Sequence, residues 1–242
     1  MRTVFRPGLE DIEQAFAEAV APYGGMIWDR CCDGNGHGNG HANRLCVRAV
    51  YPQVREVIAG DQIQRGVALR VADDTIGVHP YLFRQTSQIG AILTWVMGSR
   101  RVKRVRSRGT AAQAAEVLDE LRRLVQACSD EMILQNAVQH MRLSTEVPAN
   151  VVLWLMPLVA GLPQHQVGDV LDRITVRFEA GRNRTLFELM NAVSAVAHET
   201  PDAATRWRLE EVAGSLIARN LAARNRAPAR AARRRRMAAA RR

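Results

Sequence analysis

The sequence predicts an α+β fold, with an antiparallel β-meander in the first half of the chain and helices in the second. Three observations carry this. From Ile63 to Phe83 apolar residues recur mostly at spacing two around a short acidic turn; from Ala114 to Leu221 they recur at helical spacing; and beyond residue 221 no apolar stripe remains. The expected organisation is one α+β domain over residues 1–221, β-rich over 26–106 and helical over 110–221, followed by a disordered basic tail over 222–242. At 242 residues and 47% hydrophobic content, the chain is long enough to bury a substantial core.

Taken in order, Leu9, Ile12, Phe16, Ala19 and Val20 form the stripe of a first helix, with Glu10, Asp11 and Glu13 favouring its positive end and Pro22 and Gly24-Gly25 closing it. Met26-Ile27-Trp28 predicts a short strand. Arg44 to Tyr51 predicts a central strand, apolar on both faces, with a connection or helical turn after Pro52. Ile63, Val67, Leu69 and Val71, the Ala72-Asp73-Asp74-Thr75 turn, then Ile76, Val78, Tyr81 and Phe83 predict a hairpin with one buried face. Ile89 to Met97 fits a strand or a buried helix.

Thr110-Ala-Ala-Gln113 has capping-box spacing, and the stripe Ala114, Val117, Leu118, Leu121, Leu124, Val125 and Cys128 predicts one long helix running toward His140. Val167 to Phe178 predicts a helix ended by Gly181, Thr185-x-x-Glu188 opens another, and Pro201-Asp202 begins a last one with the stripe Leu209, Val212, Ala213, Leu216, Ile217 and Leu221.

The net charge of +10 is unevenly distributed. Ten arginines lie from Arg219 onward with no acid among them, and setting them aside leaves 24 basic residues against 24 acidic ones. The chain before Arg219 is formally neutral and the C-terminal arginines carry the excess. A second basic cluster, Arg100, Arg101, Lys103, Arg104, Arg106 and Arg108, follows the hairpin. Guanidinium groups bind phosphates in bidentate fashion, so these residues, with Arg230, Arg233, Arg234, Arg235, Arg236, Arg241 and Arg242, are the candidate nucleic-acid contacts, chiefly to the phosphate backbone of DNA or RNA. The competing reading of the cluster is a solvated strand or turn paired with acids from the helices, and of the tail, a solubility extension.

Lys103 is the only lysine, with no glycine before it, which argues against a P-loop and a Schiff-base enzyme. The carboxylate pairs Asp73-Asp74, Asp169 with Asp172, and Glu210-Glu211 fall on a turn, a helix face and a helix surface, so no catalytic residue is expected. Cys32, His37, His41 and Cys46 follow a Cys-x4-His-x3-His-x4-Cys spacing of zinc-competent side chains, set against a flexible glycine-rich hairpin tip with Cys46 turned into the core. The expectation is no cofactor, with zinc on those four as the alternative. Adjacent Cys31-Cys32 make no disulfide framework, no secretory signal is visible, and the longest apolar run is too short to span a bilayer, so a cytoplasmic protein without a membrane partner is expected.

The run Gly60-Asp61 through Gly66 to Pro80-Tyr-Leu-Phe-Arg84, followed by Asn191-Ala192-Val193 and Ala213-Gly214, resembles the phage/plasmid-like protein family, whose conserved domain has no assigned function. The resemblance covers about Val54 to Ile217, as a divergent member: Gln85 to Gly90 keeps only the glycine of the family's Cys-x-Asn-Gly, and Arg104-Val-Arg106 lacks its histidine. It implies carriage on a phage, plasmid or integrated element and supplies no catalytic residues. A meander followed by helices also looks loosely like the single-strand annealing recombinases. The functional expectation is a non-catalytic nucleic-acid-binding protein of such an element, single-strand binding or annealing in recombination or replication being its setting, with homo-oligomerisation. The alternative is a structural or assembly protein that meets nucleic acid incidentally; an aromatic content of 5% leaves few stacking platforms and favours it.

Overall fold

The computed structural model describes residues 7–32, 45–72, 75–85, 87–94, 104–106, 111–144, 150–181 and 183–216. Helix α1 (Leu9–Val20) is followed by strands β1 (Met26–Cys32), β2 (Leu45–Ile58), β3 (Asp61–Ala72), β4 (Thr75–Arg84), β5 (Ile89–Ile92) and β6 (Arg104–Arg106). The helices α2 (Ala111–Cys128), α3 (Glu131–Leu143), α4 (Val151–Val159), α5 (Gln164–Glu179), α6 (Leu186–His198) and α7 (203–216) complete the described chain. All strand pairs are antiparallel, in the order β1-β2-β3-β4-β5, and β6 pairs with β4. The α+β arrangement read from the sequence is therefore the observed one.

The β3–β4 hairpin pairs Ala72 with Thr75 and runs in unbroken register to Ile63 opposite Arg84. Its expected single buried face is instead two. Leu69, Val71, Ile76 and Val78 pack with Leu45, Val47 and Ala49 of β2 against Ile12 and Phe16 of α1 and Leu121 and Val125 of α2. On the other face Ala68, Tyr81 and Phe83 join Cys46 and Val50 of β2, Ile92 of β5 and Trp207 of α7. A strand covered on both sides loses the clean polar alternation that marks a solvated face.

Two further expectations change. Strand β2 does not stop at Pro52 but continues to Ile58, its register with β3 shifting between Val50 and Val54. A bulge accommodates a residue without an N–H, which is how a proline survives within a strand. The long helix toward His140 is two helices: Asp130 accepts a hydrogen bond from the Met132 N–H at 2.9 Å and starts α3. An N-cap aspartate satisfies an otherwise orphaned donor, and this local stop was hidden behind a continuous apolar stripe. The Thr185–Glu188 capping box is present as expected, and Asp202 caps the last helix through the Thr205 N–H at 2.7 Å.

A third cluster joins Ile63, Leu82 and Ala91 of the sheet to Leu134, Val138 and Met141 of α3 and to apolar faces of α4 to α7. Helix α7 serves two clusters: Leu209, Val212 and Leu216 enter this one, while Trp207 faces the sheet. Gly214 lets it approach, since a Cβ there would lie 2.0 Å from the Ile92 carbonyl oxygen. Gly90 is equally constrained, because the Tyr81 hydroxyl occupies the place of its missing side chain, 1.8 Å from where a Cβ would be. Among the described residues, no helix is long and apolar enough to cross a membrane.

Candidate functional site

The face of the sheet that α7 covers holds an ion network that the sequence does not announce. Arg48, on β2, is fully buried, and so is Glu210 of α7, at 0% and 2% side-chain exposure. The guanidinium Nε donates to Glu210 Oε2 at 2.9 Å, Nη2 lies 2.7 Å from the same oxygen as an ion pair, and Nη1 donates to Asp29 Oδ2 of β1 at 2.8 Å. Arg206 closes the square, reaching Asp29 at 3.1 Å and Glu210 at 3.4 Å. Two cations and two anions thus neutralise one another, Arg48 and Glu210 out of water and Asp29 and Arg206 at its edge. Burial opposes the Arg48 charge, and Glu210 beside it more than restores it, holding the guanidinium above its usual range. Burial pushes the Glu210 carboxyl up while Arg48 and Arg206 pull it back.

Trp207 stands beside this square and organises its neighbours. The guanidinium of Arg48 lies 5.5 Å from its ring centroid, that of Arg70 lies 5.8 Å away, and the His79 ring meets it edge-on at 5.6 Å. These are cation–π and aromatic contacts on a fully buried ring. Among the described residues no carboxylate lies within ion-pair distance of Arg70, unlike Arg30, Arg55, Arg84, Arg122, Arg123, Arg173, Arg177, Arg206 and Arg208, each bound to an acid.

The strand register sets Arg70 in a row that crosses the sheet. Cys31 is opposite Cys46, Cys46 opposite Arg70, Arg70 opposite Gly77, and Gly77 opposite Arg104 of β6. Arg106 is opposite Thr75, one pleat further. Of the expected basic cluster, then, Arg104 and Arg106 belong to a strand at the sheet margin. Arg100, Arg101, Lys103 and Arg108 lie outside the described residues, as do the tail arginines from Arg230 to Arg242 and the acidic pair Asp73-Asp74.

The two cysteines of the row are directly opposite each other on one face, and the Cys31 sulfur receives Arg48 Nη1 at 3.8 Å. The neighbouring Cys46, with Arg48 assisting and burial opposing, pulls the Cys31 thiol down to about 6. The neighbouring Cys31 and burial push Cys46 up. Of the zinc-type set, Cys46 shares its row with Cys31, whereas Cys32 is opposite Leu45 in the next row; His37 and His41 lie outside the described residues. Among the described residues, no group of three or more histidine, cysteine or acidic side chains is arranged to hold a metal.

The carboxylate pairs fare differently from one another. Asp169 and Asp172 are exposed on α5, as a solvated helix face requires. Glu210 is a correction: it is no helix-surface residue but the buried anion of the network, while Glu211 accepts from Trp207 Nε1 at 3.0 Å and from Arg208. A signal was available, since Glu210 falls within the stripe that runs from Leu209 to Ala213 and a carboxylate there needs a buried partner. Comparison of the chain with models of protein families, with curated proteins and with solved structures gives no match.

Proposed function

We propose that the protein is a non-catalytic nucleic-acid-binding protein that grips phosphates with arginines at the β6 margin of its sheet and in its C-terminal tail. The observation that supports this most directly is the row Arg70–Gly77–Arg104. Arg70 carries a charge that no carboxylate among the described residues balances, and Gly77 beside it contributes no side chain to cover the strand. Such a row offers guanidinium donors to a phosphate, while the ion-paired arginines elsewhere are already held by carboxylates. The Trp207 ring, by contrast, is fully buried, so it orients arginines and offers no platform to a base. Recognition is therefore electrostatic and indifferent to sequence. A phage, plasmid or integrated element as its carrier, and a cytoplasmic location, are parts of the same reading, the former resting on the resemblance alone.

The test is the salt dependence of binding to a single-stranded oligonucleotide. For single strands, log K falls by roughly 0.7 per phosphate neutralised, so half of the tail's arginines give a slope of about three to four. Deleting residues 222–242 should flatten the slope by that amount and leave a weaker component. Replacing Arg70, Arg101, Lys103, Arg104 and Arg106 with Gln in the shortened protein should abolish the remainder. No binding by the shortened protein at low salt would remove the sheet margin from this reading.

Exposed apolar side chains favour a second reading, an assembly protein. Strand β1, at the end of the sheet order, exposes Met26 at 68% together with Ile27 and Trp28, and α4 exposes Leu153 at 71% together with Val152 and Met156. Contiguous exposed apolar groups mark association surfaces. A large particle in size-exclusion chromatography without nucleic acid would support assembly, and a monomer would remove it.

A further inference from the structure

The Cys31–Cys46 pair has a geometry that neither proposed function uses. The residues are directly opposite each other on antiparallel neighbours β1 and β2, and both side chains belong to the same face, where Cys31 packs against the cluster that contains Cys46. Directly opposed residues of an antiparallel pair have Cα atoms about 4.5–5.5 Å apart, inside the roughly 4.4–6.8 Å over which a disulfide closes. Both thiols are free. Cys46 is buried, but Cys31 is half-buried on a strand at the end of the sheet order and keeps one side open to solvent. Arg48 Nη1, 3.8 Å from the Cys31 sulfur, supplies the positive charge that favours a thiolate there.

We propose that Cys31 and Cys46 are a reversible modification site, oxidised to a cross-strand disulfide by small-molecule disulfides. The Cys31 thiolate attacks one sulfur of the oxidant, forming a mixed disulfide and expelling one thiolate. The Cys46 sulfur, losing its proton to solvent, then attacks Cys31, closing the protein disulfide and expelling the second thiolate. The protein dithiol is oxidised by two electrons and the small disulfide is reduced to two thiols, which take up the two protons. The strands need no change of pairing, because the register already sets the two side chains opposite each other on one face. Cys32, one residue along and opposite Leu45, is out of phase with Cys46 and serves as the internal control. The bond closes residues 32–45 into a loop tied to β2, and it pins the strand that carries Asp29 to the strand that carries Arg48.

The experiment uses the full-length protein, wild type and Cys32→Ser, treated with oxidised glutathione, alkylated and digested with trypsin. Cleavage after Arg30, Arg44 and Arg48 separates residues 31–44 from residues 45–48. The expected product in both proteins is a single species joining these two peptides, two hydrogens lighter than their sum, abolished by dithiothreitol and absent from Cys31→Ser. Fragmentation of the wild-type species should locate the bond at Cys31, which keeps the test independent of how well any variant folds. Two alkylated peptides after oxidation, a terminal glutathione adduct on Cys31 with Cys46 still free, a bond from Cys32 to Cys46, or a disulfide between two chains would each overturn the proposal.

Discussion

The two faces of the sheet are both covered by helices and are built on different principles. Against α1 and α2 the contact is made of Leu45, Val47, Ala49, Val67, Leu69, Val71, Ile76 and Val78, side chains of one kind. Beneath α7 the sheet presents Asp29, Cys31, Cys46, Arg48, Arg70 and His79. The first face draws its stability from area removed from water, which is non-directional and tolerates exchange of one aliphatic residue for another. The second draws little net stability from its charges, since desolvation cancels most of the attraction, yet each charge requires its partner. An apolar face fails by degrees, whereas an ionic face fails when one member is lost.

That contrast is sharpest at Arg48. Arg48→Met should cost about 3–5 kcal/mol in chemical denaturation, because Glu210 is left buried without its strongest partner. The double variant Arg48→Met with Glu210→Leu should recover most of the loss, leaving Arg206 with Asp29. If the double variant were as unstable as the single one, packing and not charge would be governing this face, and the comparison would break. On the apolar face, Leu69→Ala should cost about 2–5 kcal/mol by the cavity it leaves, and no second substitution among charged residues should restore it.

Smaller effects refine the picture. Asp130→Ala removes the cap that separates α2 from α3 and should cost about 1 kcal/mol, read as a lower denaturation midpoint at unchanged slope. The smallest effect tests whether a solvated ion cluster behaves unlike the buried one. At Glu199, slight burial works against the charge, but Arg173 and Arg177 more than offset it and hold the carboxyl below its usual value. A depressed folded value means that stabilisation is complete above the unfolded carboxylate range and is lost as pH falls through the folded value. Glu199→Gln should therefore flatten the acid limb of the stability–pH curve slightly and leave neutral stability almost unchanged. Added salt should erase the difference, as it should not at Arg48.

Much of the fold was legible because its signals are local. The hairpin about Ala72–Thr75, the Thr185–Glu188 box and the stripe of α7 are each written within a few residues of one another, where backbone geometry dictates periodicity. The errors were also local signals misjudged: Pro52 read as the end of a strand that a bulge carries onward, and Asp130 passed over inside an apolar stripe. The basic cluster and the neutral body could be counted directly from composition.

The site belongs to the other category. Arg48 and Glu210 are 162 residues apart, and nothing near either one in sequence names the other. That Cys31 faces Cys46 while Cys32 does not, and that Arg70 and Arg104 flank Gly77, follow from strand register alone, which a slip of one residue would reverse throughout. Periodicity and capping are short-range properties that a sequence carries by itself; the pairing of buried charges and thiols depends on which distant strands and helices the closed core brings together, and only the tertiary structure decides that.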